Sequence, residues 1–306
     1  MSRAGVPSRV PSVPPSVQPR GRHPTLLESG GVLTDYHVHL RPDTADSPPE
    51  RHFTAENAQV YRDAATERGI EELGVSEHIY RFAQALDIWD NPLWREFAHD
   101  DVDEYCAFVR EQTDLRLGIE ADFVPGREDR VASFLEAREW DYVVGSIHFV
   151  GHGALDHEDY DIWGMGQGPE KVWTTNFTWL GELARTGQYD ILAHPDLVKH
   201  WGGRRPFPEG DLRRFYELAM DGIAESGIAI ELSTAGLRKP VGELYPSSGF
   251  LELCLQAGNP VALSSDAHTP EHVGFGYDAA LRVLAAHGVT ALADFEGRER
   301  TLVPLG

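Results

Sequence analysis

A chain of 306 residues that is 41% hydrophobic can bury a core large enough to fold without disulfides, and it holds no apolar run long enough to span a bilayer. Its 27 lysines and arginines stand against 49 aspartates and glutamates, a formal charge of −22. That balance argues against a general nucleic-acid-binding surface, which needs clustered cations to release counterions, but leaves a small anionic substrate open, because metal ions and a few arginines can invert the local field.

In chain order, residues 1–30 come first: Pro, Ser, Val and Arg without periodicity, four arginines against one glutamate. They predict a disordered or loosely attached tail, and their prolines and arginines interrupt the apolar core that a signal peptide needs. Residues 31–306 read as one domain. Short apolar runs recur in "LTDYHVHL" (33–40), "EELGVSEH" (71–78), "LRLGIEAD" (115–122), "YVVGSIHF" (142–149), "YDILAHPDL" (189–197), "IAIELST" (228–234) and "PVALSSDAH" (260–268). Helix-like segments lie between several of them. In "DLRRFYELAMDGIAESG", Leu212, Phe215, Ala219 and Ile223 keep helical spacing, and Gly227 offers a stop. Seven strands alternating with helices imply parallel βαβ units and a barrel-like α/β domain. The Gly-, Asp- and Trp-rich stretch 151–170 predicts a long functional loop. Cys106, on a helical face with Val102, Tyr105 and Val109, and Cys254 both read as core packing, which places the chain in a reducing cytoplasm.

The predicted strands end in polar residues. They are His37 and His39, Glu77 and His78, Glu120 and Asp122, His148, His194 with Asp196, Glu231, and Asp266 with His268. Residues two apart in a strand share a face, so His37 and His39 project together. In a parallel barrel all these ends lie on one rim, where active sites form. Six of the 14 histidines fall there. Packed together without partners, such groups would be costly, because desolvation and like charge oppose them; metal ions remove that cost. A His and carboxylate set without thiolate suits Zn, Mn or Fe.

The ordered motifs "DYHVHL", "SEHIYRF", "GIEADF", "VVGSIHF", "DILAHPDLVK", "ELSTAGLRKPVGELYPS" and "SSDAHTPEHVG" resemble the PHP metallophosphoesterases, in particular their monofunctional histidinol-phosphate phosphatases. The resemblance implies a distorted (β/α)7 TIM-like barrel with two to three divalent metal ions at the C-terminal ends of its strands. It implies His37, His39 and Asp266 at a first ion, Glu120 bridging to a second that His148 and His194 complete, and His78 and His268 at a third. His52 is the candidate for the last ligand of that third site, although its loop "RPDTADSPPERH" lacks the Cys-Gly-His form of relatives. Glu77 stands where relatives more often carry Asp and reads equally as ligand or support.

The expected reaction is hydrolysis of a small phosphate monoester, L-histidinol phosphate first, by a metal-bridging hydroxide. No Ser or Cys motif suggests a covalent nucleophile. Asp266 or His194 would give the leaving oxygen its proton. Arg205 and Arg238 are the expected phosphate contacts, with Arg81 as a third, and Asp161 and Trp163 would receive the substrate's cationic part. Two rivals stand beside this reading, a PHP phosphoesterase acting on nucleotides or oligonucleotide ends and a catalytically inactive metal-binding module. His99, His152, His157, His200 and His272 carry no motif and are expected at the surface, and His287 before Gly288 reads as a helix end.

Overall fold

Every apolar run contributes a strand, but several strands stop well before the run does. The computed structural model describes residues 31–305, so the predicted tail over 1–30 lies outside the described residues. In chain order come β1 (Leu33–Asp35), α1 (Pro49–His52), α2 (Ala55–Glu67), β2 (Ile70–His78), α3 (Pro92–Phe97), α4 (Val102–Gln112), β3 (Arg116–Asp122), α5 (Glu128–Glu136) and β4 (Tyr142–Ser146). A small hairpin, β5 (Phe149–Val150) with β6 (Gly153–Ala154), opens the long loop predicted after β4, and α6 (Pro169–Arg185) follows it. The chain continues with β7 (Ile191–Leu192), α7 (Arg213–Ser226), β8 (Ala229–Ser233), α8 (Ser248–Gln256), β9 (Val261–Ser264) and α9 (Tyr277–Ala286). An antiparallel hairpin of β10 (Ala291–Glu296) and β11 (Glu299–Pro304), which the pattern of apolar runs does not predict, ends the described chain.

Local chemistry sets the helix ends. The Asp101 side chain accepts from the N–H groups of Asp103 and Glu104 at the start of α4, and Gly227 closes α7 at φ 61°. The predicted face of α4 is buried, with Cys106 only half-buried beside it.

The seven strands run parallel in the order β1-β2-β3-β4-β7-β8-β9, as a (β/α)7 barrel requires. Its seam, between β9 and β1, is joined past the strands themselves. Val38 bridges Ala267, the His39 N–H donates to the Ala267 carbonyl (2.7 Å), and the Ala267 N–H donates to the His37 carbonyl (3.2 Å). The barrel therefore closes on the residues that carry its most polar side chains.

Side chains inside the barrel change character along its axis. At the N-terminal end the Tyr142 ring lies across β3 and β2, where a Cβ on Gly118 or Gly74 would sit 2.3 Å from ring or hydroxyl atoms. Only glycine admits the ring there. Tyr36 packs against Tyr142 at 4.9 Å and against Phe295 of β10 at 5.8 Å. The β10–β11 hairpin plugs this end: Arg298 N–H donates to the Asp141 carbonyl just ahead of β4 (2.9 Å). Two residues further along the same interior faces stand Glu120 after Gly118 and Glu231 after Ala229. Strand alternation thus carries an apolar plug into a polar rim.

Candidate metal centre

Six histidines and two carboxylates converge at the C-terminal rim. His37 and His39 follow β1, His78 ends β2, Glu120 lies in β3, His148 and His194 follow β4 and β7, and Asp266 and His268 follow β9. Their ligand atoms form four overlapping groups that could each hold a metal ion. One joins His39, His78 and His268, and another joins His37, His39 and Asp266. Glu120 is common to the other two, with His37 and His194 and with His78 and His148. Its Oε2 lies 3.2 Å from His37 Nε2 and 2.5 Å from His78 Nδ1, while Oε1 lies 3.2 Å from His148 Nε2 and 3.0 Å from His194 Nε2. A carboxylate with its two oxygens turned to different histidines has the form of a bridge.

Other carboxylates aim the rings. His37 Nδ1 meets Glu231 Oε1 at 2.7 Å and His148 Nδ1 meets Asp122 Oδ1 at 2.9 Å, which turns both Nε2 atoms toward Glu120. Glu231 also accepts from Ser264 Oγ (2.5 Å) and from the His194 N–H. Asp122 and Glu231 were visible in the sequence as strand-end carboxylates, but a ligand and the support of a ligand look alike there. Glu77 is a support of another kind. It accepts from the Leu40 N–H (2.8 Å) and from Arg41 Nε (3.1 Å), and so holds the loop after β1.

Two rim residues sit at positive φ without being glycine, His194 at 21° and Asp266 at 49°. Each such conformation costs about 1–3 kcal/mol and persists only where its surroundings dictate it. Arg238 Nη2 donates to the carbonyls of Ser265 (2.8 Å) and Asp266 (2.9 Å). From below, the fully buried Asp35 accepts from the Ser265 N–H (3.0 Å) and hydroxyl (2.5 Å); burial nevertheless raises its carboxyl to about 6.

The cluster is electrostatically unfinished. His37 Nε2, both ring nitrogens of His39, His78 Nδ1 and Glu120 Oε2 are buried and lack a hydrogen bond of acceptable geometry among the described residues. Burial, His78 and His268 push His39 well below the ordinary histidine range, and burial brings His268 down to about 4. For His37 and His148 burial pulls downward but the neighbouring carboxylates outweigh it, holding both well above that range. Glu120 is held well below the carboxylate range by His37, His78 and His148 against its own burial. Neighbouring nitrogens under opposite demands, with unpartnered lone pairs turned inward, fit divalent cations.

A cavity of about 290 Å³ opens above the cluster. His78, His148, His194, Asp266 and His268 form its floor, and Arg238 and Lys239 also line it. Asp43, Asp156, His200, Tyr245 and His272 complete much of the wall. Sequence reasoning missed several of these. His200 and His272 were expected at the surface, yet both line the cavity; His200 is 5% exposed, and burial lowers it to about 4. The turns after β7, over Leu197–Lys199 and Gly202–Arg204, fold His200 inward, and no local pattern announces that.

Several expected site residues are not brought to the cluster or are committed elsewhere. His52 ends α1, half-buried, and belongs to none of the four groups. The same loop presents Asp43 instead, with Oδ2 4.0 Å from His78 Nε2 and Oδ1 accepting from Arg81 Nη2 (2.9 Å) and the Tyr80 hydroxyl (3.1 Å). The loop turns this way because Arg41, buried at 1% exposure, is tied to Glu77, Asp100 and the Ser47 carbonyl. Arg81 is likewise committed to the loop, donating to the Pro42 carbonyl at 3.0 Å. Arg205 does not line the cavity. Its Nη2 meets Asp161 at 2.8 Å and its guanidinium lies 4.9 Å from the Trp201 ring centroid, so neither Arg205 nor Asp161 is free for a substrate. The cation that takes its place beside Arg238 is Lys239.

Comparison with known proteins agrees with this architecture. The model of the PHP domain matches residues 52–235, more than half of the chain. A protein of Deinococcus radiodurans named "Probable histidinol-phosphatase" is 31% identical over 264 residues, covering 82% of this chain and 92% of its own. The "Histidinol-phosphatase" of Bacillus subtilis is 24% identical, covering 81% of this chain and 97% of its own. Among solved structures, the histidinol phosphate phosphatase of Lactococcus lactis, crystallised with zinc, L-histidinol and phosphate, superposes with a TM-score of 0.64 at 16% identity. That match spans 89% of this chain and 98% of the other, and supports the fold.

Proposed function

This chain belongs to the PHP-domain family, and from that premise we propose that it hydrolyses L-histidinol phosphate to L-histidinol and phosphate. The observation that carries the reading is the cluster itself, with Glu120 turned to four histidines beneath a cavity sized for a small molecule. The relatives' names supply the substrate.

The residues fit two to three divalent cations, with zinc present in the Lactococcus lactis structure and Mn or Fe equally suited to the donor set. His37, His39 and Asp266 would hold the first, His148 and His194 the second with Glu120 shared, and His78 and His268 the third, with Asp43 rather than His52 beside them. Bound there, divalent cations neutralise a phosphate dianion and make a water acidic enough to attack it at neutral pH. The protein orients the ester. Arg238 keeps Nη1 without a partner while Nη2 is engaged, and Lys239 lines the same wall, so both can receive phosphate oxygens. The leaving oxygen needs a proton, a role we assign to Asp266 or His194, both cavity residues fixed by the rim. A reducing cytoplasm suits the two free thiols.

The test is metal analysis of protein purified without added metal, with phosphate release from histidinol phosphate followed on the same sample. Two to three equivalents of metal and turnover are expected. Full metal without turnover would remove the substrate, and turnover without metal would remove the mechanism.

A further inference from the structure

Three carboxylates line the cavity, and two have employment there. Asp266 lies 3.6 Å from His39 Nε2 and 3.5 Å from His268 Nδ1, within a metal-holding group. Asp43 meets Arg81, Tyr80 and His78. Asp156 is different. It belongs to none of the four groups, and among the described residues it has no hydrogen bond or ion pair.

Its backbone is nonetheless fixed. The preceding residue, Leu155, is fully buried; its N–H donates to the His148 carbonyl (2.8 Å), and its carbonyl accepts from Trp201 Nε1 (2.8 Å). These bonds tie the segment leaving β6 both to the strand end that bears a cluster histidine and to the turns after β7. Asp156 is thereby held at the cavity wall in the company of His200 and Tyr245. A pinned backbone presenting an uncommitted carboxylate to a cavity is the arrangement a binding site needs for a cation.

We infer that Asp156 is a specificity-determining residue that receives the substrate's primary ammonium group while Arg238, Lys239 and the metal cluster hold its phosphate. The inference rests on the proposed function. Of the two nitrogen groups on histidinol phosphate, the aliphatic amine stays protonated at neutral pH, whereas a free imidazole is mostly neutral. The charged group is the one a carboxylate selects. Such a site discriminates by leaving its own polar atom unpaired when the amine is missing.

The experiment compares wild type with Asp156→Asn and Asp156→Glu on histidinol phosphate and on p-nitrophenyl phosphate, which has no amine, with metal content measured for each. Asp156→Asn is expected to lose about tenfold to a hundredfold in kcat/KM on histidinol phosphate, mainly through KM. On p-nitrophenyl phosphate it should stay within about twofold, with unchanged metal content, and Asp156→Glu should recover part of the loss. Equal losses on both substrates would overturn the inference, since they would mean a role in the fold or the metal centre; so would no loss on either. Should the wild type fail on histidinol phosphate, the proposed function falls, and phosphoethanolamine against ethyl phosphate then decides the role of Asp156. A preference for the amine that Asp156→Asn abolishes supports the inference, and a preference that survives, or none in the wild type, overturns it.

Discussion

At the N-terminal end of the barrel Tyr36, Tyr142 and Phe295 pack ring against ring over glycines and alanines, whereas at the C-terminal end six histidines and two carboxylates crowd around unpartnered nitrogen and oxygen atoms. The same strands build both ends, and often the same faces: Gly118 and Glu120 are two residues apart on β3. One end is a closed apolar contact that needs nothing more. The other holds positive-φ backbone at His194 and Asp266 and buried polar groups that have no hydrogen-bond partner among the described residues. Stability and chemistry are thus separated along one axis, and a change at either end should affect one property and spare the other.

The sharpest way to break that division is Glu120→Gln. Removing the shared carboxylate should lower turnover by at least about a thousandfold and reduce bound metal, with the circular dichroism spectrum unchanged. Activity within tenfold of wild type would mean that Glu120 does not link the histidine groups. The converse change is Phe295→Ala. It should cost about 3–5 kcal/mol of stability in denaturant titration while kcat per folded molecule stays the same. A fall in kcat without a loss of stability would couple the ends after all. Asp43→Ala should have the smallest effect: the loss of about one equivalent of metal and roughly a tenfold drop in turnover, since such a change weakens one ion's hold and leaves the others' ligands in place. Full metal retention would leave Asp43 as no more than the partner of Arg81.

The separation also explains what could be read from the sequence. Strand ends at the rim were legible because histidines are rare residues recurring in one place: His37, His39, His78, Glu120, His148, His194, Asp266 and His268 all lie together at the rim. The parallel order of seven strands followed from the alternation of runs and helices. Illegible were the features that depend on contacts between distant segments. The Phe295 hairpin looks like an ordinary C-terminal stretch until Tyr36 and Tyr142 are placed above it. Asp43 and His200 stand in loops without periodicity, and their direction is set by Arg41 in one case and by short turns after β7 in the other. Arg205 had the right charge at the right strand end, yet Asp161 claims it.

The plug has a practical consequence. The Val32 N–H donates to the Pro304 carbonyl at 3.0 Å, so the chain enters and leaves the barrel side by side, at the end away from the cavity. A few added residues could join positions 305 and 31 while new ends are opened elsewhere, giving a circular permutant with an intact rim. The same adjacency suits attachment to a solid support: an anchor at either position would hold the molecule by its base and leave the mouth facing solution.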